Sequence, residues 1–75
     1  MSEKKSYTWV VMLDEIKKYL TENKEKYNGK LYYDLIIELS LVFKKSPATI
    51  RNYINGLIAS NFITVREDKT IIINV

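Results

Sequence analysis

The spacing of apolar residues changes near residue 61, and this change constrains the fold more than any other feature of the chain. Before it, apolar residues recur at intervals of three and four, as in helices with one buried face. After it, residues 62–66 and 70–75 are rich in β-branched side chains, and residues 67–69 separate them. Such segments predict a β-hairpin. We therefore expect an α+β chain with its helices first and its hairpin last.

The first predicted helix and its end are defined by apolar spacing and by an Asn-Gly pair. The apolar stripe is Trp9, Met12, Leu13, Ile16, Tyr19 and Leu20. Trp9 and the tyrosines of this helix are expected in the core. Charged residues 22–26 are expected to extend the helix by a turn before Asn28-Gly29 stops it. Residues 30–32 are expected to form one short strand.

The second predicted helix, over residues 33–43, is apolar around most of its circumference. Its main stripe is Ile36, Leu39, Ser40 and Phe43. Ile37 and Leu41 lie on the opposite flank, so we expect the helix to be sandwiched between the first helix and a later element. Asp34 and Glu38 mark its only expected exposed strip.

The third predicted helix, over residues 47–60, begins at the single proline. Ser46 is expected to cap it and Pro47 to occupy its first position, where the missing N–H is not needed. The buried stripe is Ile50, Tyr53, Ile54, Leu57 and Ile58. Asn61 is expected to end the helix in the left-handed conformation. In the following hairpin, the inward-facing candidates are Ile63, Val65, Ile71, Ile73 and Val75.

The chain lacks the residue types on which most catalytic and metal sites depend. Cysteine and histidine are both absent, which excludes disulfides, thiolate metal sites and histidine bases. We therefore expect no enzyme, no cofactor and no bound metal. The longest apolar runs are far below the ~20 residues that cross a bilayer, so we expect no membrane partner and a cytoplasmic location. With 75 residues, one domain over 1–75 is expected, with residues 1–5 disordered.

Positive charge is concentrated in the second half of the chain. Residues 1–38 carry seven lysines and seven acids, whereas residues 39–75 carry five cations and two acids. No acidic residue occurs between Leu39 and Arg66. A long acid-free segment with several cations is typical of a surface that meets polyphosphate.

The segment from Ser40 to Arg51 resembles a helix-turn-helix. Ser40 matches the small residue at the helix crossing, and Phe43 matches the large apolar residue three positions later. Residues that match the start of the recognition helix are Ser46, Thr49, Ile50 and Arg51. The continuation through Asn61-Phe62-Ile63 is similar to the connection between recognition helix and wing in winged helix-turn-helix proteins. The resemblance covers residues 32–75.

The turn departs from the usual pattern at two adjacent lysines. Lys44 stands where glycine is usual, and a left-handed residue with a Cβ there costs about 1 kcal/mol. Lys45 stands at a position that is usually apolar, so either the turn differs by one residue from this alignment or the Lys45 side chain points outward.

The resemblance implies a winged helix-turn-helix fold of three helices, a short strand and a C-terminal wing. It also implies sequence-specific binding of double-stranded DNA by a small transcription regulator, similar to those of thermophilic archaea and their viruses and plasmids. In a virus or plasmid protein, the location would be the host cytoplasm. The recognition helix, about 47–60, would enter the major groove, and the wing, 62–75, would lie near the backbone.

The outward residues of the third helix are uncharged or cationic, which suits contact with base edges. We expect Arg51 and Asn52 to contact bases, with Asn55 as a further candidate and Gly56 allowing close backbone approach. Around them, the candidates for phosphate contact are Lys44, Lys45, Ser46, Thr49, Arg66 and Lys69. These nine side chains, without Gly56, are the candidate DNA-binding residues.

Two other functions remain open at this point. The domain could be a winged-helix protein-interaction module without direct DNA readout, with the third helix or the Ile37/Leu41 flank packed on a partner. It could also bind RNA or single strands, although its aromatic residues fall at core positions rather than among the cations. A homodimer and a monomer are both compatible with the sequence.

Overall fold

A computed structural model describes residues 2–74 of the chain, with side chains from Trp9 onward. The elements are α1 (Ser2–Glu22), α2 (Lys24–Tyr27), α3 (Tyr32–Phe43), α4 (Pro47–Ala59), β1 (Ile63–Val65) and β2 (Ile71–Ile73). The architecture is α+β, with the helices preceding an antiparallel hairpin as expected. Residues 2–5, which were expected to be disordered, belong to α1. Met1 and Val75, with the expected inward position of Val75, lie outside the described residues.

The first predicted helix is interrupted at Asn23 rather than continued by a turn. Thr21 Oγ1 donates to the Lys17 carbonyl at 2.8 Å, and Asn23 Nδ2 donates to the Tyr19 carbonyl at 2.8 Å. These bonds compete with the regular helical ladder and end α1. The short α2 then places Tyr27 in the core, with its hydroxyl 3.0 Å from that of Tyr19. Burial raises the pKa of Tyr27.

The hairpin is joined to the chain ahead of α3 by backbone hydrogen bonds. β1 and β2 pair with Ile63 opposite Ile73 and Val65 opposite Ile71. The predicted short strand is reduced to a single bridge between Leu31 and Thr70. It is shorter than predicted because α3 begins at Tyr32.

The core is built from one face of each long helix and the inner face of the hairpin. Its buried apolar residues are Ile16, Leu20, Tyr27, Leu35, Ile36, Leu39, Ile50, Tyr53, Ile54, Leu57, Ile63, Ile71 and Ile73. α4 is central, since it packs against α3, α1 and β1. Two residues that were predicted to face the core, Ile58 of α4 and Val65 of β1, are only half-buried.

The prediction that α3 is sandwiched was wrong. Ile37 and Leu41 are 52% and 75% exposed, because the other elements cover only the face that carries Leu35 and Leu39. The prediction that Glu38 lies on an exposed strip was also wrong. Its carboxylate lies 3.2 Å from Lys26 Nζ and 3.2 Å from Lys30 Nζ and is partly buried.

In the turn between α3 and α4, the alignment of Lys44 with the usual glycine position agrees with the backbone geometry. Lys44 is left-handed, with φ 56° and ψ 45°, and its N–H donates to the Ser40 carbonyl. The Lys45 N–H donates to the same carbonyl at 3.0 Å, and the Lys45 side chain is exposed. Ser46 caps α4 by accepting from the Thr49 N–H at 3.2 Å, and Pro47 opens the helix. Asn61 is left-handed after α4, with φ 66°.

Replacing Lys44 with glycine is expected to stabilise the protein by about 0.5–1 kcal/mol. The left-handed strain of about 1–2 kcal/mol is relieved, and the greater chain entropy of glycine offsets part of the gain. Thermal unfolding should then show a Tm higher by about 2–8 °C.

The matched control is Lys45→Gly, which removes the same charge at a residue without positive φ. It should lower the Tm. Equal shifts in both variants would show that lost charge, and not backbone strain at Lys44, controls the stability of the turn.

Candidate nucleic-acid interface

α4 has a buried face and an exposed face, and the exposed face carries the central part of the candidate site. Ile50, Tyr53, Ile54 and Leu57 point into the core. The outer face of α4 consists of the exposed residues Ala48, Arg51, Asn52, Asn55 and Ala59. It contains no acid and a single charge. Small side chains at both ends leave the polar groups in its middle accessible to a large partner.

Asn55 is held by a residue that the sequence analysis did not select. The Tyr32 hydroxyl at the start of α3 donates to Asn55 Oδ1 at 2.8 Å. Burial raises the pKa of Tyr32, and the positive charge of Arg51 opposes the rise. Residues 30–32 were predicted as a strand, and no local pattern indicated that Tyr32 would contact Asn55, which lies 23 positions later in the sequence.

Asn52 and Asn55 therefore differ in what they can offer to a partner. The amide oxygen of Asn55 already accepts one hydrogen bond, so its outward contribution is chiefly the amide donor. The Asn52 side chain makes no hydrogen bond to any residue that the structure describes. It is free to use its oxygen and its nitrogen together.

At the N-terminal end of α4, Ser46 and Thr49 are engaged with each other. The Ser46 hydroxyl donates to Thr49 Oγ1 at 2.9 Å while accepting from the Thr49 N–H. In this arrangement the Ser46 proton is directed to Thr49, and the role of Ser46 as a phosphate donor stays a prediction. Thr49 keeps its own hydroxyl proton and is half-buried.

The candidate cations are exposed and lack carboxylate partners. Lys44, Lys45, Arg51, Arg66 and Lys69 form no salt bridge with any carboxylate in residues 9–74. By contrast, two lysines of the first half of the chain pair with Glu38. Burial tends to raise the pKa of that carboxyl, but the hydrogen bonds and charges of the two lysines outweigh burial and lower it. These five cations lie at the α3–α4 turn, on α4 and at the hairpin tip, where Glu67 and Asp68 separate Arg66 from Lys69. Lys18 on α1 is likewise exposed and outside the salt bridges formed by the described residues.

The hairpin tip is ordered by Asp68 and is linked to the outer face of α4 through Tyr32. Asp68 Oδ1 accepts from the Thr70 hydroxyl at 2.6 Å and from the Thr70 N–H at 3.1 Å, and these bonds lower its pKa. The Lys69 carbonyl accepts from the Tyr32 N–H at 2.7 Å. Tyr32 therefore bonds to the hairpin tip through its backbone N–H and to Asn55 through its side-chain hydroxyl. Lys44 and Lys45 lie apart from this link, at the opposite end of α3.

Gly56 does not belong to the exposed face, contrary to the sequence-based expectation. A Cβ at this position would lie 3.1 Å from Cζ2 of Trp9. Glycine therefore allows α1 to approach α4 closely, rather than allowing an external partner to approach the helix. Trp9 was expected in the core, but it is 38% exposed and packs on Tyr53 with the ring centroids 4.7 Å apart.

Other signals that would identify a function are missing from the described part of the chain. Among the described residues, no group of acidic side chains is arranged to hold a metal ion, and no helix is long and apolar enough to cross a membrane. No protein-family model, curated protein or solved structure matches the chain. A functional assignment therefore depends on the geometry of the surface itself.

Replacing Gly56 with leucine is expected to destabilise the protein by about 1–3 kcal/mol, because the added side chain overpacks the contact with Trp9. Urea unfolding followed by tryptophan fluorescence measures both the stability and the environment of the ring. The matched control is Ala59→Leu, also in α4 but exposed, which should change stability by less than about 0.5 kcal/mol. Equal destabilisation by both variants would contradict the assignment of Gly56 to the α1–α4 contact.

Proposed function

We propose that this protein is a winged helix-turn-helix domain that binds duplex DNA sequence-specifically and regulates transcription. The observation that carries the proposal is the outer face of α4, which is exposed, free of acid and opposite a fully packed apolar stripe. The order of elements agrees with such a domain, with two helices joined by a tight turn and followed by a hairpin. The bridge at Leu31 adds the short extended segment that the fold requires.

The dimensions of α4 suit insertion into the major groove. Its 13 residues give a helix about 20 Å long, and the groove is about 12 Å wide. Ala48 and Ala59 are small enough to let the helix axis come close to the bases. Arg51 can donate two hydrogen bonds to guanine, and Asn52 can pair with adenine through both amide atoms.

Asn55 has a narrower role in this proposal than Asn52. Because the Tyr32 hydroxyl occupies one acceptor position of Asn55 Oδ1, the side chain faces the groove mainly as a donor. A donor suits a purine N7, a carbonyl oxygen of a base or a phosphate oxygen. The link also holds the side chain in one orientation before DNA binds, which lowers the entropy lost on binding.

The cations around α4 are proposed to contact phosphates and to set the position of the helix. Lys44 and Lys45 adjoin the N-terminal end of α4, where the helix dipole and the Thr49 hydroxyl also favour an anion. Arg66 and Lys69 at the hairpin tip are proposed to reach the backbone as the wing. Phosphate contacts of this kind add affinity without reading sequence.

The alternative is a protein-interaction module of the same fold that does not read DNA. The exposed Ile37 and Leu41 favour a protein partner at α3, but they do not account for the acid-free polar face of α4. The two functions predict different results in the same binding assay. Only the DNA-binding function requires Asn52 and Asn55.

The variant with Arg51, Asn52 and Asn55 all changed to alanine is expected to lose specific DNA binding by at least about 100-fold, since each base contact contributes about 1–3 kcal/mol. Duplexes selected from a random pool by the unchanged protein provide the probe for a gel shift. The Tm should change little, because the higher helix propensity of alanine over asparagine offsets the loss of the Tyr32–Asn55 hydrogen bond.

Lys18→Ala serves as the control, since it removes one exposed positive charge from α1. It should leave specific affinity within about twofold, since it removes one charge and no base contact. Absence of any shifted duplex at low salt with the unchanged protein would refute the DNA-binding proposal.

The salt dependence of binding should report how many cations meet phosphate. If the four phosphate-contacting cations and Arg51 all displace counterions, log K is expected to fall with log salt at a slope of about −4 to −5 per protomer. Changing Arg66 and Lys69 together to alanine should reduce the magnitude of that slope by about 2. A slope unchanged by the double substitution would show that the hairpin tip does not contact the backbone.

A further inference from the structure

Three apolar side chains of α3 form an exposed row that the proposed DNA contact does not use. Tyr33, Ile37 and Leu41 follow one another at intervals of four residues, which places them along one side of the helix over about 12 Å. They are 66%, 52% and 75% exposed. Apolar side chains arranged at this spacing form the kind of surface that receives a helix.

A cavity of about 230 Å³ lies beside this row, between α3 and the first turns of α4. Its α3 wall is Tyr33, Ile36 and Ile37, and its α4 wall is Pro47, Ala48 and Arg51. The walls are apolar except for the Tyr33 hydroxyl and the Arg51 guanidinium. A cavity of this shape can receive one large apolar side chain, which is the usual anchor of a peptide in a groove. We call the row and the cavity together the α3–α4 groove.

The charges around the α3–α4 groove favour a partner with negative charge. Arg51 lies in the wall of the cavity, and Lys44 and Lys45 follow Leu41 by three and four residues. None of the residues that line the cavity is acidic. Two acids adjoin the row: Asp34 follows Tyr33, and Glu38 follows Ile37 and pairs with Lys26 and Lys30. A partner with carboxylates beside its apolar residues would therefore complement most of this rim.

The size of the surface argues against a stable pair of identical chains. The exposed row offers on the order of 400 Å² of apolar surface, which is the size of the largest apolar patch on a typical monomer, and such patches are often functional. A stable interface needs about 800 Å² from each partner, so this row alone is small for a permanent dimer. It is adequate for one amphipathic helix that binds weakly and reversibly.

We infer that the α3–α4 groove binds an acidic amphipathic helix of another protein. One apolar side chain of that helix enters the cavity, its other apolar residues cover Ile37 and Leu41, and its carboxylates face Arg51, Lys44 and Lys45. The inference does not rest on DNA binding, because the row on α3 is not part of the outer face of α4. The cavity shares Ala48 and Arg51 with that face, so DNA and the partner helix would compete for Arg51. It gives the domain a second surface through which a protein partner can be recruited.

The test uses the full chain and a designed peptide of about 14 residues, with leucines at i, i+3, i+4 and i+7 and glutamates between them. Titration followed by amide chemical shifts should perturb residues 33–41 and 47–51, with a Kd on the order of 100 μM, as suits a small interface. Ile37→Gln and Leu41→Gln should each weaken binding by about tenfold, because each removes an apolar contact at the centre of the interface.

The matched control is Val10→Gln. Val10 is 52% exposed, as Ile37 is, but it lies on α1. This variant should bind the peptide as the unchanged protein does. A peptide of the same composition in scrambled order, and one with lysine in place of glutamate, should bind at least about tenfold more weakly, since they lack the apolar row or the charge match.

Several results would overturn the inference. One is the absence of any perturbed amide signal at millimolar peptide. The others are a lysine peptide that binds as tightly as the glutamate peptide, and a Val10→Gln variant that loses as much peptide affinity as Ile37→Gln. Dimerisation of the unchanged protein in ultracentrifugation, abolished by Ile37→Gln, would also overturn it by showing that a second copy occupies the groove. Failure of DNA binding leaves all these readouts intact, so the two proposals fail separately.

Discussion

Burial of the apolar stripe of α4 is the constraint on which the rest of the structure depends. Ile50, Ile54 and Leu57 are fully buried, and α4 is the element in contact with α1, α3 and β1 together. Since a helix has a fixed angular spacing, burying this stripe leaves no freedom in which residues face outward. The exposed arginine and asparagines of α4 are therefore a consequence of core packing. The cap at Ser46 and the left-handed Lys44 set where that helix starts.

Tyr32 connects parts of the molecule that are distant in sequence. Its N–H bonds to the hairpin tip at Lys69, and its hydroxyl bonds to Asn55 on α4. The hairpin, α3 and α4 are thus linked at one residue beside the proposed interface. A polar link of this kind contributes about 0.5–1.5 kcal/mol per hydrogen bond, so its value lies more in orientation than in stability.

α3 shows how the same helix can serve the core and remain available to partners. One face carries Leu35, Leu39 and Ser40 into the core, and Glu38 receives two lysines from the preceding segment. The opposite row of Tyr33, Ile37 and Leu41 has no cover among the described residues. The outer face of α4 and the α3–α4 groove meet at Ala48 and Arg51. Because Arg51 is assigned to both ligands, DNA and a protein partner would compete at this edge of the domain.

Local pattern was sufficient for much of the fold. It predicted the start of α4 at Pro47, the left-handed Lys44 and Asn61, the hairpin, and most of the buried stripes, because caps, turns and periodicity act over a few residues. It also predicted which residues of α4 point outward, although whether they bind DNA stays a prediction. It missed the break at Asn23, where side chains compete with the backbone of their own helix.

The packing of elements against each other settled the remaining features. Whether Ile37 and Leu41 are covered, whether Gly56 faces α1 or solvent, and whether Tyr32 reaches Asn55 all depend on contacts between residues far apart in the chain. Periodicity orients a side chain within its own helix, but it carries no information on whether another element lies in that direction.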